Sequence, residues 1–309
     1  MLSVRRYGER HPNVKRQEMR GRWNVCGRMI ERYTVEGCVW VICDRSLKLL
    51  YEKANRYKDQ IAAARPLSTR EAKNLDEYFK IGLTFSSNAL EGNTLTITET
   101  KVLLEDGLTV GGKPIRDYYE AAGHAKAYDF MLTLARDGNT PLSEEQILKL
   151  HKLFYALLDE DNAGVYRQVS VFISGTDYVP PGPDVVPAAM QVFVAEMNAL
   201  RGSVHPVEYA ARLHKGLVDI HPFVDGNGRT ARLLMNLALV QDGFGIAIIP
   251  PVLRGEYIDA LRAAQRAKNP DDTPFFRLIA ECVIETQKDY CRLLQLPTKD
   301  EIRGGLLRT

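Results

Sequence analysis

Residues 221–232 read HPFVDGNGRTAR, and this short segment connects two stretches that both have helical spacing. The preceding stretch, residues 206–220, begins with a proline suited to a first helical position. Pro222 disfavours helical dihedral angles for His221, so the first helix must end there. The second helix is expected to begin near Gly228. Its apolar stripe consists of Leu233, Leu234, Leu237 and Val240.

The loop between the two helices is rich in groups that bind phosphate. Gly226, Asn227 and Gly228 can adopt positive φ and expose consecutive backbone N–H groups at a helix N-terminus, where phosphate oxygens bind well. Arg229 and Arg232 are three residues apart, so both project from the same side of the first helical turn. Two guanidinium groups in this arrangement can bind neighbouring phosphates.

His221 and Asp225 add the groups that transfer chemistry needs. A histidine titrates near neutral pH, so His221 can accept a proton from an attacking hydroxyl. Asp225 supplies a hard oxygen ligand for Mg²⁺ that is bound to phosphate oxygens. For any single residue, a capped helix with surface arginines and a backbone-bonded histidine is a sufficient alternative. The whole combination predicts movement of a phosphoryl or nucleotidyl group.

The segment resembles the Fic family signature, HPFx(D/E)GNGRxxR, at every specified position, and the similarity extends over roughly residues 70–270. Fic proteins mostly transfer AMP from ATP to a Ser, Thr or Tyr hydroxyl of a target protein. The resemblance implies that His221 is the general base and that Asp225 binds Mg²⁺. It also implies that the glycine loop and Arg229 hold the α- and β-phosphates and that Arg232 reaches the γ-phosphate. The implied fold is all-α, a helical bundle with one β-hairpin flap.

A second motif lies well before this segment. Residues 86–93 read SSNALEGN, in which Ser87 to Gly92 resemble the inhibitory motif (S/T)xxxE(G/N) of many Fic proteins. Glu91 would pair with Arg232 in the place that a γ-phosphate needs, and breaking a buried charge pair costs about 3–5 kcal/mol. The alternative is that Glu91 and Gly92 only end a helix. The resemblance implies a protein that inhibits itself and needs no separate antitoxin.

Residues 164–183 have the pattern of a β-hairpin in an otherwise helical chain. Apolar residues alternate along the first arm, residues 176–177 continue the turn, and two prolines end the second arm. The hairpin resembles the Fic flap, whose edge pairs with the target peptide. A surface hairpin with no role is the alternative. The first arm and the turn contain Val169, Val171, Ile173, Ser174 and Gly175.

The resemblance also implies which residues contact the nucleotide outside the signature. From the flap these are Ile173, Ser174 and Gly175. From the helix that follows the signature they are Tyr257 and Gln265, where the family contacts adenine and ribose. Many relatives have asparagine at the position of Gln265, which weakens that assignment.

The rest of the chain reads mainly as helices, and Ser68, Thr96 and Ser143 each begin a capping-box pattern. The expected helices are 69–82, 97–105, 115–136, 144–158, 185–201, 206–220, 228–242, 254–267 and 273–295. The expected regions are a basic and disordered tail (1–45), a helical region with the inhibitory motif (46–112), the Fic core (113–245) and C-terminal helices (246–309). The tail carries nine Lys or Arg against three Glu up to Arg32, so a basic arm for nucleic acid or a membrane surface is the alternative.

Composition restricts the class of protein. The chain has 309 residues, 45% of them hydrophobic, which is enough for a sizeable core. A net charge of +2 makes nucleic acid an unlikely partner for the whole protein. The five cysteines have no metal-ligand spacing, and no membrane span or signal peptide is apparent. We therefore expect a cytoplasmic enzyme with no membrane partner.

The expected activity is protein adenylylation (AMPylation), with ATP as substrate, Mg²⁺ as cofactor and a target protein presented to the flap. Self-AMPylation and a homodimer are compatible with it. The alternatives are removal of AMP from a modified protein with Glu91 orienting water, transfer of another nucleotide, a Fic kinase, and a non-enzymatic ATP sensor. The departure of the family's phosphotransferring branch from the GNGR pattern disfavours the kinase.

Overall fold

The computed structural model describes residues 21–25, 28–32, 43–64, 66–138, 140–173 and 176–297. The chain divides into two compact units, Met1–Lys48 and Leu49–Thr309. In the first unit, three short strands form an antiparallel sheet in the order β1 (Gly21–Val25), β2 (Arg28–Arg32) and β3 (Cys43–Asp44). Sequence analysis did not predict these strands, and most of the predicted tail over 1–45 lies outside the described residues.

From Arg45 onward the described residues form helices and no strand, which confirms the all-α prediction for this part of the chain. The helices are α1 (Arg45–Ala63), α2 (Thr69–Ala89), α3 (Ile97–Asp106), α4 (Ile115–Arg136), α5 (Glu144–Tyr155), α6 (Val186–Leu200), α7 (Pro206–Ile220), α8 (Asn227–Gln241), α9 (Arg254–Ala264) and α10 (Thr273–Leu293). A short 3₁₀ turn, Pro251–Leu253, precedes α9. The predicted boundaries near residues 112 and 245 stay predictions.

Helix α8 is the centre of the larger unit. It packs against α7, α4, α5 and α2, and its residues from Asn227 to Leu239 are nearly all buried. A helix that is enclosed on every side needs apolar or hydrogen-bonded residues around its whole circumference. The loop before α8 is therefore anchored to a helix that is buried on nearly every side.

Local signals define most helix starts. The predicted capping boxes at Ser68, Thr96 and Ser143 are all formed, with reciprocal side-chain and backbone hydrogen bonds. Helix α2 continues beyond its predicted end at residue 82. Gly82 lies within it, and a Cβ there would stand 2.9 Å from Cδ1 of Ile248, so the helix packs closely against this side chain. The continuation places Ser87 on the last turn of α2.

Helix α1 was not predicted, although its buried side chains follow a helical period. These are Leu47, Tyr51, Ala54, Tyr57 and Ile61. The spacing of three and four residues is the signal that would have identified it.

The predicted β-hairpin over 164–183 is not formed. Its described residues, up to Ile173 and from Thr176, contain no strand pairing. Pro180 and Pro181 have no N–H group to donate to a ladder. The side chain of Arg167 instead bridges the arms, because it donates to the carbonyl oxygens of Val169 (2.9 Å) and Pro181. The described residues of the segment are therefore irregular and joined through a buried guanidinium.

Among the described residues, no helix combines the length and the apolar character that crossing a membrane requires.

The contact between α4 and α5 allows a test of the packing. A Cβ on Gly123 of α4 would lie 2.1 Å from the carbonyl oxygen of Phe154 on α5. We expect Gly123→Ala to lower the free energy of unfolding by about 1–3 kcal/mol or more, because the helices must separate. Urea denaturation followed by circular dichroism measures this change.

The matched control is Gly255→Ala on α9, where an added Cβ meets no atom within 4 Å. It should leave stability unchanged or raise it slightly, because alanine is a better helix former. Equal destabilisation by both variants would contradict the close α4–α5 contact.

Candidate nucleotide-binding site

His221 occupies the end of α7 in an unusual backbone conformation. Its φ of 51° lies in the left-handed region, which is uncommon for a residue other than glycine. Arg167 stabilises this turn: its Nε donates to the carbonyl oxygen of His221 (2.7 Å) and its backbone N–H donates to that of Pro222 (2.9 Å). Since Arg167 is only 1% exposed, the turn is held from inside the protein.

The ring of His221 is oriented for proton acceptance. Its Nδ1 lies 3.2 Å from the carbonyl oxygen of Val218, which can only accept, so Nδ1 carries the proton and Nε2 has the free lone pair. Burial lowers the pKa of His221, and the charge of Arg167 lowers it further, against the opposing effect of the Val218 carbonyl. At pH 7 the ring is therefore neutral and able to act as a base.

The glycine loop has the geometry of an anion site. Gly226 has a φ of 79° and immediately precedes α8, and a Cβ there would collide with the ring of Phe154 at 2.8 Å. The side chain of Asn227 bonds both the N–H and the C=O of Phe223, at 2.9 Å each. His151 Nε2 donates to the Asp225 carbonyl oxygen at 3.0 Å, while its Nδ1 accepts from the backbone N–H of Gly164 at 2.9 Å. The N–H groups that begin α8 are thus fixed in place.

The carboxylate of Glu91 lies against the first turn of α8. A Cβ added to Gly228 would stand 2.4 Å from Glu91 Oε1 and 3.1 Å from Arg232 Nη1. Glycine is therefore required for this contact. The carboxylate thus lies at a helix N-terminus, a position that stabilises an anion.

Arg232 is 1% exposed, and its donors are directed at the helix that precedes Glu91. Nε donates to Ser87 Oγ (2.8 Å), and Nη2 donates to the Ser87 carbonyl oxygen (2.9 Å) and to Glu91 Oε1 (2.6 Å). Nη1 donates to the hydroxyl of Tyr257 (3.3 Å). The structure therefore brings Arg232 into contact with Ser87 and Glu91, which precede it by 145 and 141 residues.

Electrostatics keeps Glu91 charged. Burial raises the pKa of its carboxyl, but the charge and hydrogen bond of Arg232 outweigh this effect, and the pKa lies below its ordinary value of 4.5. The side chain remains 37% exposed, so it lies in an opening that a ligand can enter.

Asp225 is placed between two guanidinium groups. Its Oδ2 lies 2.8 Å from Arg116 Nη2, and its Oδ1 lies 3.4 Å from Arg229 Nη2. The carboxylate is 42% exposed, whereas Arg229 is 3% exposed and stacks over the ring of Phe154 at 4.4 Å. Arg229 also pairs with Glu120 at 3.0 Å. Asp225 thus faces solvent at the edge of the loop, and Arg229 lies below it.

Three residues of this site were missed by sequence analysis: Arg116, Glu120 and Arg167. Arg116 and Glu120 lie one helical turn apart on the predicted helix 115–136, but nothing in the sequence indicates that this turn faces the loop. Arg167 is part of the stretch that suggested a hairpin, where an arginine has no special meaning.

The remaining predicted nucleotide contacts are placed as follows. Ser174 and Gly175 lie outside the described residues, and Ile173 is partly buried beside them. Tyr257 is buried, and its hydroxyl bonds both Arg232 and His214 (3.1 Å). Gln265 ends α9 and donates to Asp219 Oδ1 at 2.9 Å. Their roles toward a nucleotide stay predictions.

The fold and this loop define a helical protein whose site is built at the junction of its two central helices. Residues 141–239 match the Fic/DOC family. The chain therefore contains a domain of this family, which confirms the resemblance seen in the signature.

Relatives with similar sequences are named Protein adenylyltransferase Fic. The relative from Drosophila grimshawi is 33% identical over 286 residues, which are 89% of this chain and 56% of the relative. The relative from Drosophila willistoni is 37% identical over 203 residues, which are 65% of this chain and 40% of the relative. The chain thus spans about half the length of the curated relatives it matches.

Solved structures of Fic proteins have a similar fold. Fic-1 from C. elegans superposes with a TM-score of 0.72 and 28% identity, over 81% of this chain and 73% of that chain. A Fic domain containing signaling protein from Bacteroides thetaiotaomicron gives a TM-score of 0.71 and 29% identity, over 82% of this chain and 99% of that chain.

The environment of His221 predicts its titration. We expect the ring to titrate below the ordinary value of 6.5, because burial disfavours the charged form. The charge of Glu91 raises this pKa, so Glu91→Gln should lower it further. NMR titration of the His221 ring, assigned with His221→Gln, measures both values. A midpoint above 6.5 would contradict the buried orientation.

Proposed function

We propose that this chain is a protein adenylyltransferase, which moves AMP from ATP to a Ser, Thr or Tyr hydroxyl of a target protein. The observation that carries the proposal is the free Nε2 of a neutral His221 beside the glycine loop that begins α8. The names of the relatives support the same activity. In the reaction, the hydroxyl oxygen bonds to the α-phosphorus, the bond to the bridging oxygen breaks, pyrophosphate leaves and His221 accepts the hydroxyl proton.

The phosphates of ATP have a set of matching donors in this proposal. The N–H groups of Gly226 to Gly228 and the guanidinium of Arg229 bind the α- and β-phosphates. Arg232 binds the γ-phosphate once Glu91 has moved away. Buried arginines suit this role, because a charge in a water-poor site interacts strongly with a developing negative charge.

Asp225 fits the role of the Mg²⁺ ligand. Mg²⁺ is usually held by one or two carboxylates together with substrate phosphates, and Asp225 is a half-exposed carboxylate beside the phosphate loop. When bound, the ion would neutralise charge on the phosphates. Arg116 must then release Asp225 Oδ2, which costs little because Arg116 is 58% exposed. Among the described residues no group of three or more His, Cys, Asp or Glu forms a separate metal site.

The segment 164–183, where the hairpin is predicted, is proposed to receive the target. Its Val169, Phe172 and Val179 are 56%, 87% and 71% exposed, and Arg167 connects the same segment to the backbone of His221. An extended peptide bound there would bring its hydroxyl close to Nε2. A second copy of the chain is one candidate target, and a homodimer stays a prediction.

Glu91 is proposed to inhibit the enzyme from within. Its carboxylate contacts Arg232 at 2.6 Å and Gly228, so it occupies the γ-phosphate position. ATP then binds in an unproductive orientation or not at all. The reverse reaction is a second candidate, because a carboxylate at this place could also orient a water molecule for removal of AMP.

The direct test uses Glu91→Gly and His221→Ala. We expect Glu91→Gly to increase AMP incorporation from α-labelled ATP by at least about tenfold, a modest value because solvent screens the half-exposed Glu91. His221→Ala should lower incorporation by about 10²–10⁴-fold. Intact-protein mass spectrometry in a host lysate with Mg²⁺ identifies the adduct and its target.

Other outcomes identify the other functions. Label from γ-labelled ATP would indicate a kinase, and a UMP-sized adduct would indicate another nucleotide. Reduced release of AMP by Glu91→Gly would favour the reverse reaction. Binding of ATP without any turnover that depends on His221 would contradict an enzyme.

A further inference from the structure

Glu120 on α4 is a buried carboxylate, 6% exposed, that bonds groups from three parts of the site. Its Oε2 accepts from Asn93 Nδ2 at 2.9 Å. Its Oε1 accepts from Arg116 Nε at 3.1 Å and pairs with Arg229 Nη1 at 3.0 Å. One side chain therefore contacts both the turn after Glu91 and an arginine of the phosphate loop.

The turn after Glu91 is attached to α4 as well as to its own helix, where the backbone N–H of Asn93 donates to the carbonyl oxygen of Asn88 at 3.1 Å. Asn93 Nδ2 donates to the carbonyl oxygen of Asp117 (3.0 Å) as well as to Glu120. The backbone N–H and the hydroxyl of Thr94 donate to Asp117 Oδ2, at 2.9 and 2.6 Å. Since Glu91 precedes these residues by two and three positions, its carboxylate can leave Arg232 most easily when this attachment loosens.

The Glu120 carboxylate also limits the movement of Arg229. The guanidinium lies between Glu120 and the ring of Phe154, with Asn88 Oδ1 at 3.5 Å. A buried arginine without a counter-charge is costly, so Glu120 both neutralises and orients it. The other contact to Arg229, from Asp225, is longer, at 3.4 Å.

We propose that Glu120 is a positioning residue with two tasks: it fastens the turn that holds Glu91 over Arg232, and it orients Arg229 for phosphate binding. The inference rests on the proposed function and assigns the inhibition a second structural support on α4. Glu120 itself acts through Asn93 and Arg229, and not on the reacting atoms. The two tasks are separable, because Asn93 takes part only in the first.

The first task is tested with Asn93→Ala, alone and combined with Glu91→Gly. Loss of hydrogen bonds to Glu120 and Asp117 should raise AMP transfer by about 2- to 10-fold. In the Glu91→Gly background the same substitution should change transfer by less than about twofold, because no inhibitory carboxylate remains to be released. No increase, or an equal increase in both backgrounds, overturns this part of the proposal.

Asn198→Ala is the matched control. Asn198 also bonds a backbone N–H and C=O, those of Leu142, at 2.9 and 2.8 Å, but it lies on α6 outside the site. It should leave transfer unchanged. If Asn93→Ala folds poorly, Thr94→Val removes one hydroxyl bond to Asp117 and should act in the same direction.

The second task is tested with Glu120→Gln in the Glu91→Gly background. Glutamine retains an acceptor for Asn93 but loses the charge that faces Arg229. We expect KM for ATP to rise several-fold with a smaller change in kcat, because Arg229 contributes to phosphate binding. An unchanged KM overturns this part, since a purely structural Glu120 would not affect nucleotide binding selectively.

Hydrogen exchange of the amides of residues 90–95, measured without nucleotide, separates this inference from the proposed function. Asn93→Ala and Thr94→Val should accelerate that exchange, whereas Asn198→Ala should not. If Glu91→Gly transfers no nucleotide but exchange accelerates, the activity is wrong and the attachment stands. Unchanged exchange overturns the attachment whatever the activity is.

Discussion

The ion pair between Arg232 and Glu91 is the interaction on which the rest of the site depends. Arg232 is buried on the central helix α8, where an unpaired charge is costly. A negatively charged group must therefore pair with it. In this structure that group comes from the end of α2. In the proposed reaction it comes from the γ-phosphate of ATP. In the proposed function, inhibition and substrate binding are therefore two ways of neutralising one guanidinium.

The surrounding helices hold the groups of the site in fixed positions. Helix α8 is enclosed by other helices, and the glycines at its start allow Phe154 and the Glu91 carboxylate to approach closely. Arg167 stabilises the left-handed backbone conformation of His221 by donating to its carbonyl oxygen. These supports leave the carboxylates of Glu91 and Asp225 37% and 42% exposed, and in the proposed function these two carboxylates are the groups that a ligand or Mg²⁺ reaches.

The signature and the inhibitory motif could each be recognised from residues close in sequence, and the structure places residues of the two motifs in contact. The contact of Glu91 with Arg232 was predicted through a family resemblance and agrees with the structure. The roles of Glu120 and Arg167 could not be predicted from the sequence. They arise only when α4 and the segment 164–183 pack against the loop before α8. The predicted hairpin has no strand among the described residues. Alternating apolar residues predict a strand, but they do not show whether the prolines and Arg167 allow the two arms to pair.

The most direct test of the account compares the affinities of ATP and ADP for the wild-type chain and for Glu91→Gly, measured by calorimetry with Mg²⁺ and without a target. If Glu91 occupies the γ-phosphate position, its removal should tighten ATP binding relative to ADP binding by about tenfold or more. ADP has no γ-phosphate, so its affinity should change little. An equal change for both nucleotides, or no change for either, would contradict competition for Arg232.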